Sequence, residues 1–226
     1  MTFCVLIIFI NIFLSYSITY KPCQQLQVYI STTQETYCNA WSKCFDIGGR
    51  LASESDISTV MDCHMLPNVH FYIGLNDLPF ERYKNQTGWL FSDGSQLNNT
   101  SYWNGNEPNS LYSGEDCVVI KTKLYDTSCK GNFNYFCIAN SYDEIHARFL
   151  KSNSIRPIFN NDVEVGCYDI ASAKSVLECG ARSLTKPYYR SFYFDKIQSD
   201  CVLVKYVDST LPLSFNTSDR QWIGFY

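Results

Sequence analysis

Side chains that carry oxygen are concentrated in one polar stretch of the chain, Trp103 to Asn109, and just beyond it. Glu107 and Asn109 flank a proline, and Glu115 and Asp116 follow after a short interval. Carboxylate and amide oxygens are the hard ligands that Ca²⁺ prefers, and the ion takes about six to eight of them. Side-chain amides add oxygen ligands without adding charge. The stretch therefore predicts a Ca²⁺ site.

Short predicted strands surround this polar stretch. The interval between Gly94 and Gly114 has no apolar periodicity, and a loop of that length in a compact domain is usually functional or disordered. Apolar runs on either side are rich in aromatic and β-branched residues, which favours strands. These runs are Phe71 to Leu75, Trp89 to Phe91, Cys117 to Ile120 and Tyr135 to Ile138.

Two amphipathic helices are predicted before these strands. The first covers Thr33 to Phe45 and ends at Gly48-Gly49, because glycine commonly follows a helix terminus. The second opens at Ser53 with a Ser-x-x-Asp capping pattern that includes Asp56. The apolar face of the first helix contains Tyr37, Ala40, Trp41 and Cys44, and the face of the second contains Ile57, Val60, Met61 and His64.

Composition limits the class of protein. The chain has 226 residues, 46% of them hydrophobic and 18% charged, which predicts one or two globular domains. A net charge of −4 argues against a nucleic-acid partner. The apolar run Thr2 to Leu14 has the length of a secretory leader, with small residues placed for a cut after Ser17. We therefore predict a signal peptide over residues 1–17 and a soluble, secreted, extracellular protein without a membrane partner. An uncleaved anchor is the alternative.

Cysteine usage supports export. Eleven cysteines less Cys4 in the leader leave ten, an even number that predicts a disulfide framework. Four sequons would make the chain a glycoprotein, although the two adjacent ones are not expected to be modified together. Their acceptors are Asn85, Asn98, Asn99 and Asn216.

Four segments, in this order, resemble the successive landmarks of the C-type lectin domain. They are Gly48 to Ala52, Tyr72 to Asp77, Gly88 to Ser95 and Trp103 to Asn109. The resemblance implies an α+β fold over residues 18–142, with two helices, antiparallel strands, a long loop and disulfide staples. It also implies disulfides between Cys44 and Cys137 and between Cys117 and Cys129.

The resemblance assigns roles to the polar cluster. By position, the metal ligands are Glu107, Asn109, Glu115 and Asp126, and these four with Tyr125 would contact the carbohydrate. The family uses the Glu-Pro-Asn triplet for mannose-type sugars and has asparagine where this chain has Tyr125. A phenol is a poor Ca²⁺ ligand, so the cofactor Ca²⁺ should bind more weakly, although the ring could stack on a sugar face. In a working site, the bond before the proline of the triplet should be cis.

The pairing of Cys23, Cys38, Cys63 and Cys167 stays open among three arrangements. Cys38 and Cys63 fall on the two predicted helices, which favours that pair. Cys23 would then join Cys167 and tie the start of the chain to its second half.

Residues 143–226 contain a charged connector and a second hydrophobic pattern. A helix is predicted over Ala171 to Leu184, with Val176, Leu177, Ala181 and Leu184 at helical spacing, followed by strands at Arg190 to Asp195 and Cys201 to Val204. The order of motifs resembles the PAN/apple module, a small α+β domain that mediates protein or carbohydrate contacts. The resemblance implies a disulfide between Cys179 and Cys201.

No catalytic arrangement is evident. His64, His70 and His146 fit no zinc spacing and adjoin no nucleophile motif. Glu107 and Glu115 could in principle form a glycosidase pair, but the resemblance argues for metal ligation instead. We predict a non-enzymatic, secreted protein that recognises mannose-type glycans or glycoproteins through Ca²⁺. The alternative is a Ca²⁺-independent, lectin-like module that binds protein in adhesion, host interaction or immune evasion.

Overall fold

The structure is a computed structural model of the chain. It describes residues 19–23, 26–62, 68–77, 89–91, 95–109, 115–139, 159–160, 166–206, 211–212 and 220–225. The predicted signal peptide, most of the connector, His64, His146, Asn85 and Asn216 lie outside these ranges.

The secondary structure divides into an N-terminal region with two helices and a C-terminal region with one. The helices are α1 (Tyr37–Asp46), α2 (Glu54–Asp62) and α3 (Val176–Ser183), with a short 3₁₀ helix at Thr100–Tyr102. The strands of the N-terminal region are β1 (Thr19–Cys23), β2 (Leu26–Ile30), β3 (Gly49–Leu51), β4 (Phe71–Asn76), β5 (Leu90–Phe91), β6 (Cys117–Ile120), β7 (Leu124–Thr127) and β8 (Asn134–Ala139). The later strands are β9 (Phe159–Asn160), β10 (Tyr168–Ser172), β11 (Tyr189–Asp195), β12 (Asp200–Lys205), β13 (Leu211–Pro212) and β14 (Trp222–Phe225).

The N-terminal strands form one sheet in the order β1-β2-β8-β4-β6-β7, with β3 added to β8 and β5 to β4. The pairing of β4 with β8 is parallel, and the other pairings in this sheet are antiparallel. Strands β6 and β7 lie at one edge and form an antiparallel pair in which Val118 is opposite Asp126. This edge carries the predicted site.

Helix α1 buries the face that its sequence predicts. Tyr37, Ala40, Trp41 and Cys44 are all buried. The helix begins at Tyr37, four residues later than expected, because Glu35 instead forms a bridge with Phe133. It ends before Gly48, whose φ of 71° is in the left-handed region that favours glycine.

Helix α2 begins with the predicted cap. The carboxylate of Asp56 accepts hydrogen bonds from the backbone N–H and the hydroxyl of Ser53, both at 2.7 Å. Arg50 forms a salt bridge with the same carboxylate at 2.6 Å, so the buried Asp56 is paired. Ile57 and Val60 are buried on the predicted face.

In the C-terminal region, α3 packs on the four-stranded antiparallel sheet β10-β12-β11-β14. The predicted helix starts too early, because Ala171 belongs to β10. Its expected apolar face is also wrong: Leu177 is 82% exposed and Leu184 is 68% exposed. The buried residues of α3 are Cys179 and Ser183. Gly180 lies against the ring of Phe192, where a Cβ would be 3.1 Å from the ring.

Four disulfides lie in the described part of the chain. They join Cys44 to Cys137, Cys117 to Cys129, Cys179 to Cys201 and Cys38 to Cys167. The first three are the pairs that the two resemblances imply. The prediction of a Cys38–Cys63 bond is wrong, because the C-terminal region packs on α1 and brings Cys167 to Cys38. The predicted Cys23–Cys167 bond is excluded by the same pairing.

The hydrophobic core of the N-terminal region has two parts. One lies between α2 and the sheet and includes the edge-to-face pair of Trp89 and Trp103, whose ring centroids are 5.2 Å apart. The other lies under α1 and includes Tyr37 and Tyr72, in edge contact at 5.4 Å. Across the residues that the structure describes, no helix is long and apolar enough to cross a bilayer.

Candidate functional site

The polar stretch that precedes Asn109 is fixed to strand β7 by backbone contacts. Trp103 forms a parallel bridge with Leu124, and the N–H of Asn104 donates to the carbonyl of Leu124 at 3.0 Å. The N–H of Glu107 then donates to the carbonyl of Asn104 at 2.9 Å, which closes a turn. Because Trp103 and Leu124 are buried, these contacts bring the loop to the edge of the sheet beside Asp126.

Glu107 and Asn109 face each other across Pro108. The Glu107–Pro108 peptide bond is cis, as the sequence predicts. The side-chain amide of Asn109 donates from Nδ2 to Oε2 of Glu107 at 2.6 Å. Both side chains are half-buried, while Pro108 is buried. The triplet thus places a carboxylate and an amide within one hydrogen bond of each other.

Asp126 completes this contact from strand β7. Its Oδ1 accepts a hydrogen bond from the backbone N–H of Asn109 at 3.3 Å. Asp126 is only 7% exposed, which is unusual for a carboxylate and requires compensation. Its neighbours on the same strand face include the buried Leu124, so the packing of the strand fixes its direction.

The electrostatics of the cluster are those of crowded carboxylates. Burial, a hydrogen bond to Asp126 and the negative charges of Asp126 and Glu115 together raise the pKa of Glu107 to about 8, although the backbone N–H of Asn109 acts in the opposite direction. Glu107 therefore holds a proton near neutral pH, beside Asp126. A proton between two carboxylates occupies the same electrostatic position that a cation would fill.

Tyr125 lies on the other face of β7. Successive side chains of a strand point to opposite faces, and here Leu124 and Asp126 are buried whereas Tyr125 and Thr127 are half-buried. The ring of Tyr125 makes an edge contact with the ring of His70, with centroids 5.3 Å apart. Tyr125 therefore lies on the face of β7 opposite to Asp126, and its contact with a sugar stays a prediction.

Two further carboxylates lie beside Glu115. Asp116 and Asp77 are each 6% exposed, and the N–H of Asp77 donates to the carbonyl of Asp116 at 3.0 Å. Asp77 was not among the predicted site residues, although it follows directly after a buried strand.

The oxygen donors around Glu107 are fewer than a Ca²⁺ ion usually takes from a protein. Within the described ranges, no group of three or more His, Cys, Asp or Glu side chains is close enough to hold a metal ion. Glu107 and Asp126 do meet directly, Asn109 adds an amide, and Glu115 is near enough to affect the pKa of Glu107. These oxygen donors fit a hard cation with few protein ligands.

Two of the predicted glycosylation acceptors are described, and both are exposed. Asn98 donates from its backbone N–H and from Nδ2 to the carboxylate of Glu54, at 3.0 and 3.1 Å. The side-chain oxygen of Asn99 accepts from the backbone N–H of Ser101 and caps the 3₁₀ helix.

Comparison with known proteins agrees with the order of the motifs. Residues 33–139 match the family model of the lectin C-type domain. This segment contains α1, α2, the long loop, both family disulfides and the cluster around Glu107. Residues 33–139 are therefore similar to the C-type lectin domain in sequence. Their mixed α/β, disulfide-linked fold confirms that part of the predicted architecture, and the match does not extend to the C-terminal region.

Two relatives are similar to less than half of this chain. Human Collectin-10 is 30% identical over 115 residues, which cover 48% of this chain and 40% of Collectin-10. A C-type lectin of the coral snake Micrurus corallinus is 32% identical over 91 residues, covering 38% of this chain and 54% of that protein. A solved structure of the cow C-type carbohydrate-recognition domain of CD23, determined in the presence of a GlcNAc2Man3 oligosaccharide, aligns at a TM-score of 0.46 and 23% identity, over 57% of this chain and 98% of that one. The chain thus spans about half or less of the length of the relatives it matches.

Proposed function

We propose that the lectin domain binds carbohydrate through a Ca²⁺ ion held by Glu107, Asn109, Glu115 and Asp126. The observation that carries the proposal is the meeting of Glu107, Asn109 and Asp126 from two separate segments, with the pKa of Glu107 raised by its surroundings. Crowded carboxylates raise the free energy of the folded protein unless a proton or a cation lies among them.

Each side chain has a distinct part in this proposal. The carboxylates of Glu107 and Asp126 neutralise the charge of the ion, and Glu115 adds a further oxygen. The amide of Asn109 supplies an oxygen to the ion and leaves its NH₂ group as a donor for a hydroxyl of the ligand. When bound, Ca²⁺ supplies coordination positions that two neighbouring hydroxyl groups of a sugar can fill.

The proposed ligands are mannose-type glycans and glycoproteins. The support is the Glu107-Pro108-Asn109 triplet, which in the family resemblance accompanies mannose-type recognition. Affinity for Ca²⁺ should be low, because the resemblance expects an oxygen ligand at position 125. This chain has a tyrosine there, and its ring lies on the face of β7 opposite to Asp126. Extracellular Ca²⁺ modules work at about 10⁻⁴–10⁻³ M, so a site of this kind can still fill outside cells.

A second candidate function rests on Tyr125. Because the Tyr125 ring packs against His70, the lectin domain has one metal ligand fewer than the resemblance calls for. A Ca²⁺-independent module that binds a protein, in adhesion, host interaction or immune evasion, would need no such ligand.

The test is retention of the disulfide-intact protein on mannose resin in millimolar Ca²⁺, followed by elution with a chelator. The proposal predicts retention that the chelator releases and that Asp126→Asn abolishes. Retention that is absent for the wild type, together with no thermal stabilisation by Ca²⁺, would contradict it and favour the protein-binding module.

Several wider assignments stay proposals. We propose secretion after removal of residues 1–17, a lectin domain within residues 18–142, glycosylation at the predicted sequons, and a connector with a PAN/apple-like domain over residues 143–226. The packing of α3 on an antiparallel sheet and the Cys179–Cys201 bond support the last of these. Such a domain would offer a second surface for a protein or carbohydrate partner.

A further inference from the structure

The C-terminal region is covalently attached to helix α1. Cys38 in the first turn of α1 is bonded to Cys167, which directly precedes β10, with a Cα–Cα distance of 5.3 Å. The two residues are 129 positions apart in the chain. A bond over such a long loop strongly restricts the conformations of the unfolded chain.

Aromatic rings reinforce this attachment along α1. Trp41 stacks on Tyr206 with ring centroids 5.9 Å apart and an interplanar angle of 11°, and Phe45 meets Tyr188 edge-on at 5.0 Å. Such pairs stabilise a contact beyond the burial of their surface. The hydroxyl of Tyr206 also hydrogen-bonds to Ser42 of α1. We call the Cys38–Cys167 bond and these rings the α1 joint.

Tyr206 is held in an unusual backbone conformation at the α1 joint. Its φ of 57° lies in the left-handed region, which is unfavourable for a bulky residue. Two hydrogen bonds maintain it: the N–H of Tyr206 donates to the carbonyl of Tyr188 at 2.9 Å, and Arg190 donates to the carbonyl of Tyr206 at 3.2 Å. The C-terminal region therefore directs this ring onto Trp41.

The start of α1 also contacts the turn that follows the candidate site. The backbone N–H of Tyr37 donates to the carbonyl of Cys129 at 3.0 Å, and its hydroxyl accepts from Nδ2 of Asn76 at 3.3 Å. The neighbouring Tyr72 donates from its hydroxyl to the carbonyls of Ser128 and Gly131, both at 2.8 Å. Two buried tyrosines thus fix the turn at residues 128–131.

That turn is close in the chain to the predicted ligands. Asp126 lies three residues before Cys129, and Glu115 lies two residues before Cys117, the disulfide partner of Cys129. Two adjacent residues of α1 therefore link the C-terminal region to the turn at residues 128–131. Tyr37 contacts this turn, and Cys38 is bonded to the C-terminal region.

We propose that the C-terminal region acts as a clamp on α1 that, through Tyr37, positions the turn after Asp126 and so keeps the candidate site in register. Its effect on ligand binding rests on the function proposed above. Its effect on the turn does not, because backbone order can be measured without any ligand. Tyr37 is a positioning residue in this arrangement, since it contacts the turn and no ligand.

The experiment uses the full chain and three variants. Cys38→Ser combined with Cys167→Ser removes the covalent part of the α1 joint, and Tyr206→Ala removes the stacked ring while every disulfide is kept. Leu177→Ser is the matched control, because Leu177 is an exposed residue of the same C-terminal region. Amide hydrogen exchange is read at Tyr37 and over residues 124–131, together with the dissociation constant for Ca²⁺.

The clamp predicts faster exchange at the Tyr37 amide and in the turn for both joint variants, by about tenfold or more, and none for Leu177→Ser. Ca²⁺ should bind about tenfold more weakly to the joint variants, as for other residues that orient metal ligands. If the double serine variant does not fold, Tyr206→Ala decides alone. Unchanged exchange at Tyr37 and in the turn would overturn the clamp. A wild type that binds no Ca²⁺ contradicts only the proposed function, because the exchange result still tests the clamp.

Discussion

Tyr125 and Asp126 are adjacent in β7 but project from opposite faces of the strand. The Asp126 carboxylate accepts the N–H of Asn109 at 3.3 Å, whereas the Tyr125 ring lies 5.3 Å from the ring of His70. The tyrosine therefore neither blocks the cluster nor contributes to it. Its effect is the absence of one oxygen ligand, which lowers the expected Ca²⁺ affinity of the proposed site. The ring itself does not occupy the site.

This relationship predicts a clear difference between two substitutions. Asp126→Asn removes a carboxylate from the cluster and should weaken Ca²⁺ binding by about tenfold or more, since ligand charge sets affinity. Tyr125→Phe removes a hydroxyl that faces away and should leave the dissociation constant unchanged. Calorimetric titration of both variants with Ca²⁺ checks this. An equal loss in the two variants would mean that the phenol is a ligand and that β7 is oriented differently.

The raised pKa of Glu107 predicts that Ca²⁺ and protons compete for the cluster around Glu107. The pKa of Glu107 is raised to about 8 from its ordinary 4.5, so the folded, metal-free protein binds a proton that the unfolded chain releases at lower pH. Stability from this group is complete below pH 4.5 and is lost as pH rises through about 8. Metal-free protein should thus melt at lower temperature at pH 8 than at pH 5, and Ca²⁺ should restore stability most at the higher pH.

Glu107→Gln is the control for this prediction. Glutamine resembles the protonated acid, so the pH-dependent loss of stability that comes from Glu107 should disappear. Calorimetry at pH 7 in buffers of different ionisation enthalpy should show that wild-type protein releases a proton on binding Ca²⁺. Ca²⁺ binding without proton release would show that Glu107 is already ionised at pH 7 before the ion binds.

The disulfide between Cys38 and Cys167 can be checked directly. Digestion of unreduced protein should yield a peptide pair that contains these two cysteines and separates on reduction. The second member of the pair is decisive, because a Cys38–Cys63 peptide would instead restore the arrangement favoured from helix placement and would remove the covalent part of the α1 joint.

Gly49 is expected to be sensitive for a steric reason. A Cβ at this position would lie 2.6 Å from the carbonyl oxygen of Ile138, a backbone atom of the paired strand β8. Gly49→Ala should therefore lower the free energy of unfolding by about 1–3 kcal/mol, as overpacking typically does. Chemical denaturation measures this, with Leu177→Ala as an exposed control that should change it by less than about 0.5 kcal/mol. Equal effects would show that β3 does not pair closely with β8.

Much of the lectin domain follows from local sequence signals. The buried face of α1, the Ser53–Asp56 cap and the strand Cys117–Ile120 were all predicted, because periodicity and capping act within a few residues. Strands β1, β2, β3 and β7 were not predicted. Strand β7 is only four residues long, and its pairing with β6, rather than its composition, makes it a strand.

The C-terminal region shows where local signals fail. Helical spacing identified α3, but the face it buries is set by the sheet beneath it, and that face takes small residues such as Cys179 and Ser183. Pairing of Cys38 with Cys167 depends on how two regions pack across 129 positions, which spacing cannot reveal. In the site, residue types suggested the ligands, but only the strand direction shows that Tyr125 faces His70.

A calorimetric titration of the wild-type protein with Ca²⁺ at pH 8 shows whether the cluster around Glu107 binds the ion. We expect one binding event per chain with a dissociation constant of about 10⁻⁴–10⁻³ M, raised about tenfold or more in Asp126→Asn. No heat and no thermal stabilisation up to about ten times that concentration would contradict the account and leave a metal-independent binding module as the better description.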